Sequence, residues 1–129
     1  MKDNKLWKAF SEYIRLRDSD ENGFCRCITC GIIRFWKQMD CGHGIGRQHK
    51  ATKYNEMNNH AQCKKCNGFE GGKREVYKIE MDKRYGYRTW AKMEIASKAI
   101  LKLSQFEIDE MTKFYKKKAN SLKKQKGLI

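Results

Sequence analysis

Two cysteine pairs constrain this chain more than anything else in it: Cys27-Ile28-Thr29-Cys30 and Cys63-Lys64-Lys65-Cys66. Two thiolates on each of two tight turns make the four-sulfur tetrahedral set that suits Zn2+. The chain has 129 residues, 34% of them charged, and a mean hydropathy of −0.90. Its core is therefore thin, and a thiolate metal site contributing on the order of 10–16 kcal/mol can decide whether such a chain folds. A redox Cys-x-x-Cys needs βαβ patterning around it, which is absent here. Cys25 competes with Cys27 as a ligand, although Cys-x-Cys is the rarer geometry, and Cys41 reads as a small buried side chain.

Lys+Arg total 29 against 15 Asp+Glu, a formal charge of +14. So large an excess on a small body favours a polyanionic partner, most simply nucleic acid. No apolar run approaches the roughly 20 residues of a membrane span. The start, Met1-Lys2-Asp3-Asn4-Lys5, lacks the apolar stretch of a signal peptide. The expectation is a cytoplasmic protein with no membrane partner, whose cysteines bind metal rather than form disulfides.

There is no Pro, and nine of the 10 Gly fall from Gly23 to Gly86, which predicts helical ends and an irregular middle. Leu6, Trp7, Phe10, Tyr13 and Ile14 predict an amphipathic helix from Lys5 to about Asp18. Ile32–Trp36 and Gln38–His43 read as short strands around the first cysteine turn. Helices are predicted over Lys73–Tyr85 and from Thr89 to about Leu103. Ser104-Gln105-Phe106-Glu107 is a capping box opening a last helix. Its apolar stripe, Ile108, Met111, Tyr115, Ala119 and Leu122, needs a partner surface, and a second subunit is the expected one. The last 19 residues carry seven lysines and no acid; Lys116, Lys117 and Lys118 are candidate phosphate contacts. Three segments follow: a helix and turn over 1–24, a metal-stabilised core over 25–86, and a helical region with a basic tail over 87–129.

The three histidines, His43, His49 and His60, all lie between the cysteine pairs, as do Asn55, Asn58 and Asn59, and Asn67 follows Cys66 directly. A frame held by one metal leaves a second site for chemistry. The order His43, Asn58, Asn67 is that of the HNH, or ββα-metal, nuclease finger. Such a site needs a histidine to take a proton from water and a divalent cation to stabilise charge at phosphorus. An amide oxygen at Asn67 suits Mg2+ or Mn2+ better than Zn2+, and a second amide can orient the histidine. Many such fingers place a metal-binding Asp or His directly before the base, where this chain has Gly42. Asp40, His49 and His60 are the candidates to replace it.

The run Met39-Asp40-Cys41-Gly42-His43 with Arg47, followed by Ala51 through Asn67, resembles the NinG/Rap family of phage recombination endonucleases. Tyr13–Asp18, Glu75–Lys78, Arg84–Gly86 and Phe114–Lys118 extend the resemblance over roughly residues 5 to 122. It implies an α+β fold, a zinc-stabilised, treble-clef-like ββα-metal finger flanked by helices. It also implies a dimeric, metal-dependent endonuclease acting on branched DNA such as Holliday junctions. On this chain His43 would be the general base and Asn67 a ligand of a catalytic Mg2+ or Mn2+; Asp40 stands beside His49 and His60 as a candidate second ligand. Asn58 would support the site, and Arg47 and His60 would lie near the scissile phosphate. Cys27, Cys30, Cys63 and Cys66 would hold structural zinc. Arg47, His49, Lys64, Lys65, Lys73 and Lys116–Lys118 would contact DNA. The competing readings are a zinc-stabilised DNA-binding module without catalysis and an HNH nicking or restriction enzyme on linear DNA.

Overall fold

The computed structural model describes residues 2–128, and the fold is mixed α+β with small sheets. Helix α1 spans Asn4–Arg17 and buries Leu6, Ala9, Phe10, Tyr13, Ile14 and Leu16, as its spacing predicts. A turn follows in which Asp20 Oδ1 accepts from the backbone N–H of Asn22 and Phe24, an Asx-type closure. Strands β1 (Phe24–Arg26) and β2 (Ile33–Phe35) then pair antiparallel across the first cysteine turn. Gln38 is not extended: Trp36–Gln38 forms a 3₁₀ turn that buries Trp36, and β3 begins at Asp40, running to His43.

Strand β4 (Asn59–Gln62) pairs antiparallel with β3, placing Asp40 opposite Gln62 and His43 opposite Asn59. This strand is not legible from alternation, because all four of its residues are buried. Between the strands lie the short helix α2 (Lys50–Lys53) and a 3₁₀ turn at Glu56–Asn58. The outer edge of β4 is covered. Arg17 donates to Asn59 O (2.7 Å), Asp18 accepts from Ala61 N–H (2.8 Å), and Ile28 N–H donates to Ala61 O (3.1 Å).

After a single π turn at Lys65–Phe69, helix α3 runs over Arg74–Tyr85 and α4 over Thr89–Ser97. Helix α4 stops short of the predicted Leu103. Ile100 is 96% exposed and has no surface to pack on, whereas Leu103 leaves the helical path to pack against the core. The capping box forms as predicted, Ser104 accepting from Glu107 N–H and Glu107 from Ser104 N–H, and opens α5 over Gln105–Gln125.

The stripe on α5 does not await a second subunit. Ile108, Tyr115 and Ala119 are buried in one core with α1 and the cysteine turns, with Met111 and Leu122 packed at its margin. The stripe therefore carries no argument for a dimer. A second core of Ile28, Ile45, Tyr77, Met81, Trp90 and Met93 joins α3 and α4 to the loop after β3.

Candidate metal centre and polar cleft

The cysteine turns meet. The sulfurs of Cys27, Cys30, Cys63 and Cys66 all lie within 4.8 Å of one another. Cys30 Sγ and Cys63 Sγ are 3.7 Å apart, close to the ~3.8 Å edge of a tetrahedron with Zn–S bonds of ~2.3 Å. Backbone N–H groups of Cys63 and Cys66 donate to Cys27 Sγ and Cys63 Sγ at 3.3 and 3.4 Å. Burial works against the Cys27 thiolate, yet the Cys63 N–H and the Thr29 hydroxyl draw its thiol down to about 6. Burial and then neighbouring thiols hold Cys30 and Cys66 above the ordinary range. Four sulfurs this close resist ionising together without a cation between them, so the donor set fits a metal such as zinc. Cys25 does not compete: its thiol is buried and points to Arg15 O at 3.1 Å. Cys41 is buried against Asn59 Oδ1.

A polar cleft of about 360 Å³ lies beside this cluster. Strand β3 contributes Asp40 and His43 to it, and the turn after Cys66 contributes Asn67. Helix α1 supplies Trp7, Ser11 and Arg15, and Lys37, Arg47 and Lys64 complete the rim. Four cations thus face one carboxylate, a field that favours an anionic ligand.

Within the cleft, Asn67 Nδ2 donates to Asp40 Oδ2 at 3.0 Å and Lys64 Nζ to Asp40 Oδ1 at 2.7 Å. Rotating the Asn67 amide by half a turn brings its oxygen to the carboxylate, and the two together offer the hard oxygen ligands of Mg2+ or Mn2+. The Lys64 ammonium now stands where such a cation would neutralise Asp40. Gly42 cannot supply this ligand: a Cβ there would lie 2.0 Å from Gln62 Oε1 and 2.9 Å from Gln62 Cβ. The pair available is Asp40 and Asn67, two residues earlier on the strand and one residue after a cysteine.

His43 is fixed by two contacts, each backed by a further residue. Its Nε2 lies 3.1 Å from Lys53 O; a carbonyl only accepts, so Nε2 carries the proton and Nδ1 keeps the lone pair. Trp7 stacks on the imidazole at 4.8 Å and 16°, and Arg47 sits 5.9 Å from the Trp7 ring. Asn59 Nδ2 also donates to Lys53 O, at 3.1 Å, and so holds the carbonyl that holds the histidine. Burial, aided by the Arg47 and Lys53 charges against the Lys53 carbonyl bond, pushes His43 down to about 4. It is a neutral base at pH 7.

Asn58 supports the cleft from behind. Fully buried, it accepts from Ile45 N–H (2.7 Å) and donates to Ile45 O (3.0 Å) and Thr52 O (3.1 Å), closing the loop that carries Arg47.

The structure does not bring every expected residue to the cleft. His60 is fully buried on the far side of the hairpin, its Nδ1 3.1 Å from Tyr77 Oη and its Nε2 2.6 Å from Tyr85 Oη. Tyr77 gives its own proton to Gly42 O at 2.7 Å, so it accepts from His60 Nδ1–H, and Tyr85 donates to Nε2. A position near the scissile phosphate is thereby corrected to a core role. Burial pushes His60 down to about 3. It is neutral in the fold, and its contribution, on the order of 4 kcal/mol, is complete above pH 6.5 and lost as pH falls from there toward 3. NMR titration is expected to show no movement of the His60 ring signals between pH 7.5 and 4.5; a midpoint near 6.5 would refute the buried tyrosine pairing.

His49 does not line the cleft, nor do Lys65, Lys73, Lys116, Lys117 and Lys118. Lys65 and Lys73 border a second groove above the cysteines, which Lys64 shares with the cleft. Lys116 faces the groove between α1 and α5 with Lys5 and Lys8. Sequence reading missed Trp7, Ser11, Arg15, Lys37 and Asn59. Trp7 shows no special signal, since it fits the apolar spacing of α1.

The NinG family, described as the bacteriophage lambda NinG protein, matches residues 2–125. The chain belongs to this family. The NinG protein of Escherichia phage lambda is 34% identical over 80 residues, covering 61% of this chain and 37% of that protein. The NinG proteins of Escherichia phage 933W and Enterobacteria phage VT2-Sa are each 32% identical over the same length. The aligned stretch thus spans little more than a third of these NinG relatives. No solved structure matches the chain. Among the described residues, no helix is long and apolar enough to cross a membrane.

Proposed function

We propose that this NinG-family chain is an HNH-type, metal-dependent DNA endonuclease that hydrolyses phosphodiester bonds in the host cytoplasm. One observation carries the reading: His43, with Nε2 tied to Lys53 O and Nδ1 left as a base, opens into the same cleft as the Asp40–Asn67 pair. A pure binding module has no use for that combination. The β3–β4 hairpin, followed at once by the turn bearing Asn67, supports the ββα-metal assignment.

In the proposed reaction a water oxygen attacks phosphorus and its proton passes to His43 Nδ1. The bond from phosphorus to the leaving sugar oxygen breaks, and that oxygen is protonated from solvent. Arg47 and Arg15 bind the nonbridging phosphate oxygens, and Trp7 keeps the imidazole from turning. A divalent cation held by Asp40 and Asn67 would supply the charge that stabilises the phosphorane and the leaving oxygen. Cys27, Cys30, Cys63 and Cys66 would carry zinc as structure alone.

The branched substrate follows from the resemblance to phage recombination endonucleases. Its test is cleavage of a labelled four-way junction beside the matching linear duplex, with Mg2+ or Mn2+ added or omitted. Metal-dependent cutting that favours the junction is expected. Equal cutting of both would discard the junction preference, and binding without cutting under either metal would discard the nuclease. Asp40→Ala is expected to raise the Mn2+ concentration for half-maximal cleavage at least about tenfold, with the same shift in Mn2+ binding followed by electron spin resonance. Unchanged Mn2+ binding would remove Asp40 from the ligand set.

A further inference from the structure

The ring of Phe69 is 95% exposed, although the turn that carries it is firmly built. Glu70 N–H donates to Lys65 O (3.0 Å), Gly72 N–H to Cys66 O (2.8 Å) and Lys73 N–H to Glu70 O (3.1 Å). The Glu70 carboxylate also holds Lys73 at 2.9 Å and Lys65 at 3.7 Å. The phenyl group is held out in water and forgoes the free energy that burying its apolar surface would gain. The turn is anchored to a metal-site cysteine, so this projection is fixed by the frame.

The glycine before it adds a second observation. Gly71 and Gly72 need positive φ, at 59° and 88°, but Gly68 does not, and a Cβ on Gly68 would meet nothing within 4 Å. Neither backbone conformation nor packing within the chain calls for glycine there. Gly68 thus leaves open space on the residue directly before Phe69. The adjoining groove bears Arg34, Lys64, Lys65 and Lys73 against Glu70, and Lys64 links it to the cleft. Glu70, next to Phe69 in the chain, lines this groove, so an exposed flat apolar ring and a cationic groove sit on one turn, a pairing that matches the two halves of a nucleotide, base and phosphate.

We infer that Phe69 is a stacking platform for an unpaired or unstacked base next to the phosphate held in the cleft. This rests on the reading of the chain as a DNA-acting protein. Asn67 lies two residues before Phe69, so the stacked base would belong to the strand being cut. An exposed ring on a fixed turn gains contact without ordering itself, which is how aromatic wedges and platforms hold distorted DNA. It also gives a physical reason for preferring branched over continuous duplex: only the former offers a free base face at low cost.

The test uses zinc-loaded protein without added Mg2+ or Mn2+, and DNA carrying 2-aminopurine at a branch point or in a perfect duplex. The wild type is expected to bind the branched DNA and change the 2-aminopurine emission. Phe69→Ala should weaken that binding about 5- to 150-fold and abolish the emission change, while affecting duplex binding far less. Phe69→Trp should restore affinity. Phe69→Ala behaving as wild type on both DNAs, with wild-type binding intact, would overturn the platform alone. Wild type binding neither DNA would overturn the DNA reading beneath it. Conversion of a dimer to a monomer by Phe69→Ala in sedimentation would assign the ring to a second copy instead and overturn the platform.

Discussion

Replacing His43 by Ala is expected to lower the cleavage rate about 10²- to 10⁴-fold while DNA binding stays within about twofold. The imidazole is the one group in the cleft whose free nitrogen can take the proton of an attacking water, since Asp40 is engaged by Lys64 and Asn67. The fold is expected to survive the change, since Lys53 O keeps its second donor, Asn59 Nδ2. Trp7 loses its stacking partner but remains packed at 6.0 Å from Phe10. Single-turnover cleavage in Mn2+, with anisotropy on the same junction, separates the two effects. A variant that binds less and cuts normally once bound would assign His43 to binding rather than proton transfer.

Keeping metal from the four-cysteine site is expected to leave the chain unfolded. A structural thiolate site contributes on the order of 10–16 kcal/mol at neutral pH, as much as the whole stability of a typical domain, about 5–15 kcal/mol. Here the four cysteines tie the β1–β2 turn to the end of β4, and three of them belong to the same core as α1 and α5. Without the metal, four crowded thiols replace that tie. Treatment with a strong chelator, followed by circular dichroism and metal analysis, should show loss of the cooperative thermal transition and its return on adding Zn2+. Cys63→Ser should behave as the chelated protein does. A metal-free chain that still melts cooperatively near the same temperature would refute the structural role.

The parts of the fold visible beforehand are those written in local pattern. The α1 spacing, the Ser104–Glu107 capping box and the two cysteine turns each depend on residues a few positions apart, and each formed where expected. Strand β4 was hidden because both its faces are covered, by α1 on one side and by Tyr77 and Gln62's neighbours on the other, leaving no alternation. The cleft was half visible. His43, Asp40 and Asn67 carry chemistry in their residue types, so spacing could nominate them, while Arg47 is marked out by the family resemblance. Trp7, Arg15 and Asn59 act through distance in space, which no local pattern reports. His60 shows the converse: its residue type suggested chemistry, while two tyrosines from α3 make it a core group.

The sealed outer edge of β4 bears on how the protein behaves at high concentration. A short strand with free backbone groups is a template onto which another chain can add, the first step toward aggregated sheet. Arg17, Asp18 and Ile28 occupy the groups on this strand that an incoming chain would need. The same three contacts stop β4 from sliding by one residue against β3, a slip that would turn His60 toward the cleft face and Asn59 away from Lys53. The end of helix α1 and the first cysteine turn thus guard together both the solubility of the hairpin and its alignment.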